Sequence, residues 1–408
     1  CIRDSFRPMN FPRILKKRKG YIDRIKPFMQ KSVAKVLTGQ RRVGKSFLLY
    51  QLIEEILAEE PDANIIYVNL EDFTFSSLQT AEDLHSYIIS HSKEKVKNYI
   101  FIDEIQDIPG FEKVIRSLLL NEDNDIYITG SNAKMLSGEL ATYLSGRYIE
   151  FKIYSLSYSE FLEFHGLTES ETSYELYSRY GGLPYLLNLP LEDETVNEYL
   201  KSVYSTIVFR DVVSRYKLRN TLFLEKLIQF LSENIGNLFS AKNISDYLKS
   251  QHTAISVNQI QSYTEYLNNA FLIHRVERYD LIGKRVFEIG EKYYFENMGI
   301  RNIVIGYRIT DKAKILENLV YNHLLYKGYD IKVGYYGDKE IDFVGEKNGE
   351  KLYIQVALKI DGDTAEREFG NLLKIQDNYP KIVVTEDTFS GNSYEGIRHC
   401  SIRQFLME

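Results

Sequence analysis

The stretch "VLTGQRRVGKSFLLYQLIEEIL" sets Gly39, four further residues, then Gly44, Lys45 and Ser46 between a strand ending at Thr38 and an amphipathic helix running to about Glu59. The spacing G-x-x-x-x-G-K-S is that of a phosphate-binding loop. Backbone N–H groups from Gly39, Gln40, Arg41, Arg42, Val43, Gly44, Lys45, Ser46 and Phe47 would wrap phosphates at the positive end of the helix. Lys45 can reach the β- and γ-phosphates, and Ser46 can hold Mg2+.

"NYIFIDEIQDI" supplies the complement. Tyr99 to Ile102 predict a buried strand with Asp103 and Glu104 at its carboxyl end, where ligands bind in open α/β sheets. Asp103 would hold Mg2+ through water, and Glu104 would orient and deprotonate the attacking water. An Asp-Glu pair favours hydrolysis over nucleotide binding alone. "NIIYVNLED" and "DIYITGSN" predict two more strands, the arrangement of a P-loop ATPase core with an inserted strand. Asn132, ending the last of these, is either a γ-phosphate sensor or a turn residue after Gly130. Arg147 is either an arginine finger, in its own subunit or a neighbour's, or a structural ion pair. Arg179 is likewise a second γ-phosphate sensor or structural. The turn Gly181-Gly182-Leu183-Pro184 beside it predicts a tight bend near the nucleotide and a helix start.

A second candidate site lies at "EIDFVGEKNGEKLYIQVALK", two strand-like runs about an Asn348-Gly349 hairpin turn. A helix acid, Glu317, precedes it, and the first strand carries Asp342. Metal-dependent nucleases use the order helix acid, strand aspartate, acid-x-lysine, in which the strand acids hold Mg2+ and the lysine assists water. Here Gln355 stands where the second acid belongs and Ala357 where the lysine belongs. Hard cations favour carboxylate oxygen, so the expected site is chemically deficient. Lys359 is expected on the same strand face, two residues further, ~6.6 Å along. The expectation is a nuclease-like fold without activity, kept for nucleic-acid or partner binding or for structure alone.

Between the two sites the chain reads as helices. Residues 192–220 have apolar residues at helical spacing and a basic balance toward their end, where Arg210, Arg215, Lys217 and Arg219 face only Asp211. Residues 221–285 then predict three helices and a hairpin, a winged-helix order. Ser240 caps the second helix, Ser256 to Asn269 form a recognition-type helix, and the wing bends at Gly283. That region holds seven Lys/Arg against six Asp/Glu, and the recognition-type helix has no Lys or Arg. Phosphate contacts supply most DNA affinity, so weak or indirect DNA binding, or a protein-docking or lid role, is expected.

The chain has 408 residues, enough for two to four domains, with 44% hydrophobic and 26% charged residues, as in soluble globular proteins. Its apolar runs are strand-sized, well short of the ~20 residues of a membrane span, so no membrane role and a cytoplasmic location are expected. Cys1 and Cys400 are the only cysteines, which supports neither a disulfide framework nor a zinc site. No signal-peptide pattern opens the chain, and Cys1 reads as a trimmed or mis-assigned start rather than a lipidation site. Net charge is −6, yet residues 1–46 carry fourteen Lys/Arg against Asp4 and Asp23. That basic start suits a polyanionic ligand or is a solvated tail, "KKRK" at Lys16 to Lys19 included.

"LTGQRRVGKS", "FIDEIQDIPGFEKVIRSLL", "YITGSNAKMLSGELATYLSGRYIEF" and "LSYSEFLEF" together resemble the AAA-like ATPases of bacteria and archaea that carry a C-terminal DUF4143 domain. The resemblance implies an α/β fold: an AAA-like P-loop NTPase core of the inserted-strand type, a winged-helix segment and a C-terminal fold related to PD-(D/E)XK restriction-endonuclease-like proteins. The expected organisation is an ATPase core over 1–165, a helical lid over 166–220, a winged helix over 221–300 and a nuclease-like domain over 301–408. The expected function is Mg2+-dependent ATP hydrolysis that moves the C-terminal modules against DNA or a protein partner. A nucleotide-gated switch with little turnover and an ATP-licensed nuclease are the alternatives, the latter disfavoured by Gln355 and Ala357. A finger acting from a neighbour would require a homo-oligomer.

Overall fold

The computed structural model describes residues 16–133, 144, 146–250, 255–283, 290–337, 339–360, 362–386 and 393–408, with backbone alone for 362–367. The chain divides into two compact units. The first comprises the residues up to Tyr154 together with Asn269–Phe271, and the second comprises Ser155–Asn268 and Leu272–Glu408.

In the first unit, strands β1 (Ala34–Thr38), β2 (Asn64–Asn69), β3 (Asn98–Asp103), β4 (Asn124–Gly130) and β5 (Tyr148–Lys152) form one sheet in the order β2-β3-β4-β1-β5. All neighbours are parallel. β4 therefore stands between the strand that leads into the phosphate loop and the strand that ends in Asp103, as the inserted-strand reading expects. Parallel strands covered on both faces read as continuous apolar runs, and β1, β3 and β4 are buried throughout. Helices Lys45–Glu59, Ala81–His91 and Phe111–Leu118 pack with them. Ile66, Ile100, Ile128, Leu84, Ile88 and Ile115 belong to one core cluster.

In the second unit, helices Tyr158–His165, Glu171–Tyr180 and Asp193–Thr206 come first, the last continuing as a π-helical stretch, Ile207–Ser214. Helices Thr221–Glu233, Ala241–Ser250 and Val257–Asn269 follow, the second capped by Ser240 as expected. Strands β6 (Ile273–Asp280) and β7 (Glu291–Phe295) pair antiparallel, and an isolated bridge joins Phe239 to Glu291. Helix Lys312–Tyr326 leads into β8 (Asp330–Tyr336), β9 (Lys339–Lys347) and β10 (Glu350–Ala357). Helix Gly362–Leu373 then crosses to β11 (Lys381–Thr385), parallel to β10, and β12 (Ser393–Tyr394) and β13 (Ile397–Ser401) complete the strands. The β9–β10 turn has Asn348 at φ 53° and Gly349 at φ 82°, the two left-handed residues of a type I′ hairpin.

Three sequence expectations change. The expected domain bounds at 165, 220 and 300 do not coincide with the two compact units, the first of which closes at Tyr154. The physical reason is sheet pairing: β6 hydrogen-bonds parallel to β8, so the strands form one eight-stranded sheet ordered β12-β13-β11-β10-β9-β8-β6-β7. Lys359 lies beyond the end of β10, exposed, and does not share the Gln355 strand face. "KKRK" is no solvated tail: Arg18 is buried and donates to the Val43 and Tyr154 carbonyls at 3.2 and 2.8 Å, while Lys17 pairs with Glu55. Lys284, Arg285 and Cys1 lie outside the described residues.

Candidate active site

The phosphate loop leaves β1 at Thr38 and enters the 45–59 helix through Gly44 at φ 97°. A Cβ on Gly39, at φ 152°, would lie 2.1 Å from the Ile153 carbonyl oxygen, so only glycine lets the loop start this close to its neighbour. Arg42 also adopts a left-handed backbone, at φ 71°, with its side chain exposed. Val43 is buried, Phe47 is exposed, and Arg41 pairs with Glu71 at 2.9 Å. Lys45 is buried and its ammonium donates to the Gly39 and Gln40 carbonyls at 3.0 Å each.

β3 delivers Asp103 and Glu104 to the same place, and the Glu104 Oε1 lies 3.8 Å from Lys45 Nζ. Glu104 adopts a left-handed backbone (φ 57°), which turns its side chain out of strand register. Its N–H donates to Thr129 Oγ1 at 2.9 Å, while the Thr129 hydroxyl donates to Asp103. Gln106 Nε2 donates to the Glu104 carboxylate and, at 3.4 Å, to Ser131. Burial pushes the Asp103 carboxyl up, against hydrogen bonds with Ser46 and Thr129. Burial pushes Glu104 up too, but the Lys45 and Arg41 cations prevail and hold it below the ordinary carboxylate range. The Ser46 hydroxyl and Asp103 carboxylate are adjacent hard oxygen donors, the kind Mg2+ takes, so these residues fit the ion.

The remaining sequence candidates separate. Asn132 is buried just beyond β4, beside the buried Ser131. Arg147 is exposed and precedes β5, where its carbonyl accepts from Ala34 N at 3.0 Å. Ala34 begins β1 and the phosphate loop follows its end, so Arg147 lies ~13 Å of strand away, at the opposite edge of the parallel sheet. Arg179 pairs with Asp193 and lies over Tyr180 and Tyr307, within the second unit. The Gly181-Gly182 turn serves packing there: Cβ atoms would fall 2.3 Å from Asn297 and 2.4 Å from the Leu156 carbonyl.

Sequence reading missed Thr129, Gln106 and the Gln40 contact. Gln40 is buried, and its Nε2 donates to the Phe271 carbonyl at 2.8 Å, across 231 residues. Nothing local in the sequence signals that pair. Gln106, two residues past Glu104, could have been found as an amide within reach of the Glu104 carboxylate.

At the second candidate site, Glu317, Glu340 and Asp342 converge, and Asp342 N meets Gln355 Oε1 at only 3.4 Å. Gln355 is buried and neutral. The unforeseen member is Lys292 of β7, whose ammonium lies among the three acids.

A model for an AAA domain matches residues 31–162, and one for a domain of unknown function, DUF8612, matches residues 171–311. The DUF4143 assignment of the sequence resemblance gives way to that second match. A Haemophilus influenzae protein described as uncharacterized is 37% identical over 403 residues, spanning 96% of this chain and 98% of its own. The Methanocaldococcus jannaschii protein MJ1544, also described as uncharacterized, is 30% identical over 351 residues, 82% of this chain and 76% of its own. Among solved structures, the Walker-type ATPase paby2304 of Pyrococcus abyssi is 16% identical, with TM-score 0.49, covering 71% of this chain and 96% of that one. The loop, the acids at the end of β3 and the strand order define an AAA-like P-loop ATPase. The chain belongs to the family shared with the Haemophilus and Methanocaldococcus proteins. No helix among the described residues is long and apolar enough to cross a membrane.

Proposed function

We propose that the chain hydrolyses ATP with Mg2+ and uses the cycle to move its second unit against a partner. What carries the reading is the convergence of Lys45, Ser46, Asp103 and Glu104 at the carboxyl ends of β1 and β3. Lys45 would neutralise charge on the β- and γ-phosphates, and Glu104 would take the proton of the attacking water. Mg2+, held by Ser46 and Asp103, supplies charge neutralisation on the phosphate oxygens when bound. Coupling is supported by the turn Asn269–Phe271, which belongs to the first unit while its chain neighbours on both sides belong to the second. Gln40 of the phosphate loop grips this turn. The deciding experiment is phosphate release with DNA, with RNA and with neither, in Mg2+ and in EDTA, on wild type and Glu104→Gln. Equal rates in wild type and Glu104→Gln sink the reading.

A nucleotide-gated switch with little basal turnover is the second reading. It is favoured by the engagement of Glu104 with both Lys45 and Gln106, which lowers its basicity. Comparing basal and partner-stimulated hydrolysis separates the two. The exposed Arg147 would serve a neighbouring subunit. Light scattering with an ATP analogue tests this, because full activity in a strict monomer excludes it.

The second unit's order of helix, single bridge, two helices and hairpin supports a winged-helix segment. Two of its basic side chains are engaged: Arg275 pairs with Glu277 and Glu291 at 3.5 and 3.7 Å, and Arg278 lies over Tyr335 at 4.0 Å. A protein partner or weak DNA contact fits better than tight DNA binding. The order helix, β8, β9, β10, helix, β11 supports a nuclease-like fold, with Gln355 and Ala357 withholding its metal chemistry. Mn2+-dependent DNA cleavage abolished by Asp342→Ala overturns that view.

A further inference from the structure

Lys292 is 3% exposed, yet no carboxylate of its own strand neutralises it. Its Nζ reaches Glu340 Oε1 at 2.7 Å, Glu317 Oε1 at 2.9 Å and Asp342 Oδ1 at 3.9 Å. Glu340 and Asp342 alternate along β9, so both project to one face, and Glu317 comes from the 312–326 helix. Tyr294, two residues from Lys292 on β7, donates to Glu317 Oε1 at 2.6 Å. The Val356 N–H donates to Asp342 Oδ2 at 2.8 Å. Three acids drawn from two elements onto one point would repel strongly without a cation at that point. Burial opposes the charge on Lys292, and the three acids outweigh it and raise its pKa.

We infer that the Lys292 ammonium is the resident cation of this carboxylate centre, occupying the place a divalent ion would take. The native centre therefore binds no Mg2+ or Mn2+, and removing this one ammonium creates a divalent-cation site built from Glu317, Glu340 and Asp342. The inference rests on these distances and extends the reading of a metal-free nuclease-like fold by naming what displaced the metal. It also ties β7 to β9 and the 312–326 helix through charge rather than through apolar packing alone.

The test uses the full chain without nucleotide and Mn2+ alone as the probe, titrated by calorimetry and by the electron paramagnetic resonance of free Mn2+. Wild type and Asp342→Asn give the same binding isotherm, because neither centre takes the ion. Lys292→Met gains one Mn2+ equivalent, at least tenfold tighter than any wild-type binding, and Lys292→Met/Asp342→Asn loses it. A wild-type Mn2+ equivalent that Asp342→Asn abolishes overturns the inference, and so does a folded Lys292→Met that gains none. Should Lys292→Met fail to fold without metal, folding of the same variant rescued by Mn2+ is the expected result, and no rescue overturns the inference. The wild-type comparison is decisive in any case. DNA cleavage is assayed separately: ion binding without cleavage supports the inference and leaves the silent fold standing, whereas cleavage by Lys292→Met overturns the silent-fold reading alone.

Discussion

Lys45 Nζ and Glu104 Oε1 stand 3.8 Å apart, both buried, one brought by the phosphate loop and the other by the end of β3. The pair places the charge that would steady a γ-phosphate beside the base that would activate water. Lys45→Ala and Glu104→Gln should each lower turnover by at least about 100-fold, the usual weight of such groups. Glu104→Gln should keep nucleotide binding, because the role proposed for the carboxylate is to activate water and not to hold phosphate. Phosphate release and fluorescent-nucleotide titration on the two variants check this.

Gln106 donates to the Glu104 carboxylate, and a donated hydrogen bond stabilises the charged form and weakens the base. Gln106→Ala should raise basal turnover by about threefold or more by freeing that oxygen. The acid limb of its pH–rate profile should move upward, since Lys45, Arg41 and Ser131 then oppose burial without the help of Gln106. A drop in rate with an unmoved limb contradicts the holding role.

Lys35 and Asp125 form a fully buried ion pair between β1 and β4, with Tyr127 O–H and Gln30 N–H donating to the other carboxylate oxygen at 2.7 and 2.8 Å. Removing one charge strands the other in a dry sheet. Asp125→Ala should cost ~3–5 kcal/mol, and Lys35→Met/Asp125→Leu far less, because the double change leaves no buried charge. Urea unfolding of the three proteins measures the difference.

His323 packs at a tilt against Phe405 and is buried with its Nδ1 unbonded, and burial pushes its imidazole down from 6.5 to about 3. The unfolded histidine takes a proton near pH 6.5, while the folded one refuses it until about pH 3. The native state therefore binds fewer protons in that window, and stability falls as pH drops through it, by ~1.4 kcal/mol per unit. His323→Leu should lose less stability than wild type between pH 7 and pH 5, by about 2 kcal/mol in urea unfolding. Identical slopes for the two proteins would show that another group carries the acid sensitivity.

Much of the first unit was legible because its signals are local. Gly39 to Ser46 are contiguous, Asp103 and Glu104 are adjacent, and the strands of a parallel sheet announce themselves as unbroken apolar runs. The hairpin at Asn348-Gly349 was equally local. What the sequence left open was reach. Arg147 precedes a strand, as read, but whether that end of the strand faces the phosphate loop depends on the parallel pairing of β5 with β1. Lys359 was assigned to a strand that stops two residues earlier.

By itself, then, the sequence determined the phosphate loop, its acidic partners and the neutral residues Gln355 and Ala357 two apart on one strand, because each is carried by neighbouring residues whose types alone limit the chemistry. Only the tertiary structure decided that Gln40 meets Phe271 and that Lys292 stands among Glu317, Glu340 and Asp342. The physical reason is that a charge is placed by the pairing of strands far apart in the chain. No periodicity along β7 tells a lysine which carboxylates it will meet once β6 has joined β8.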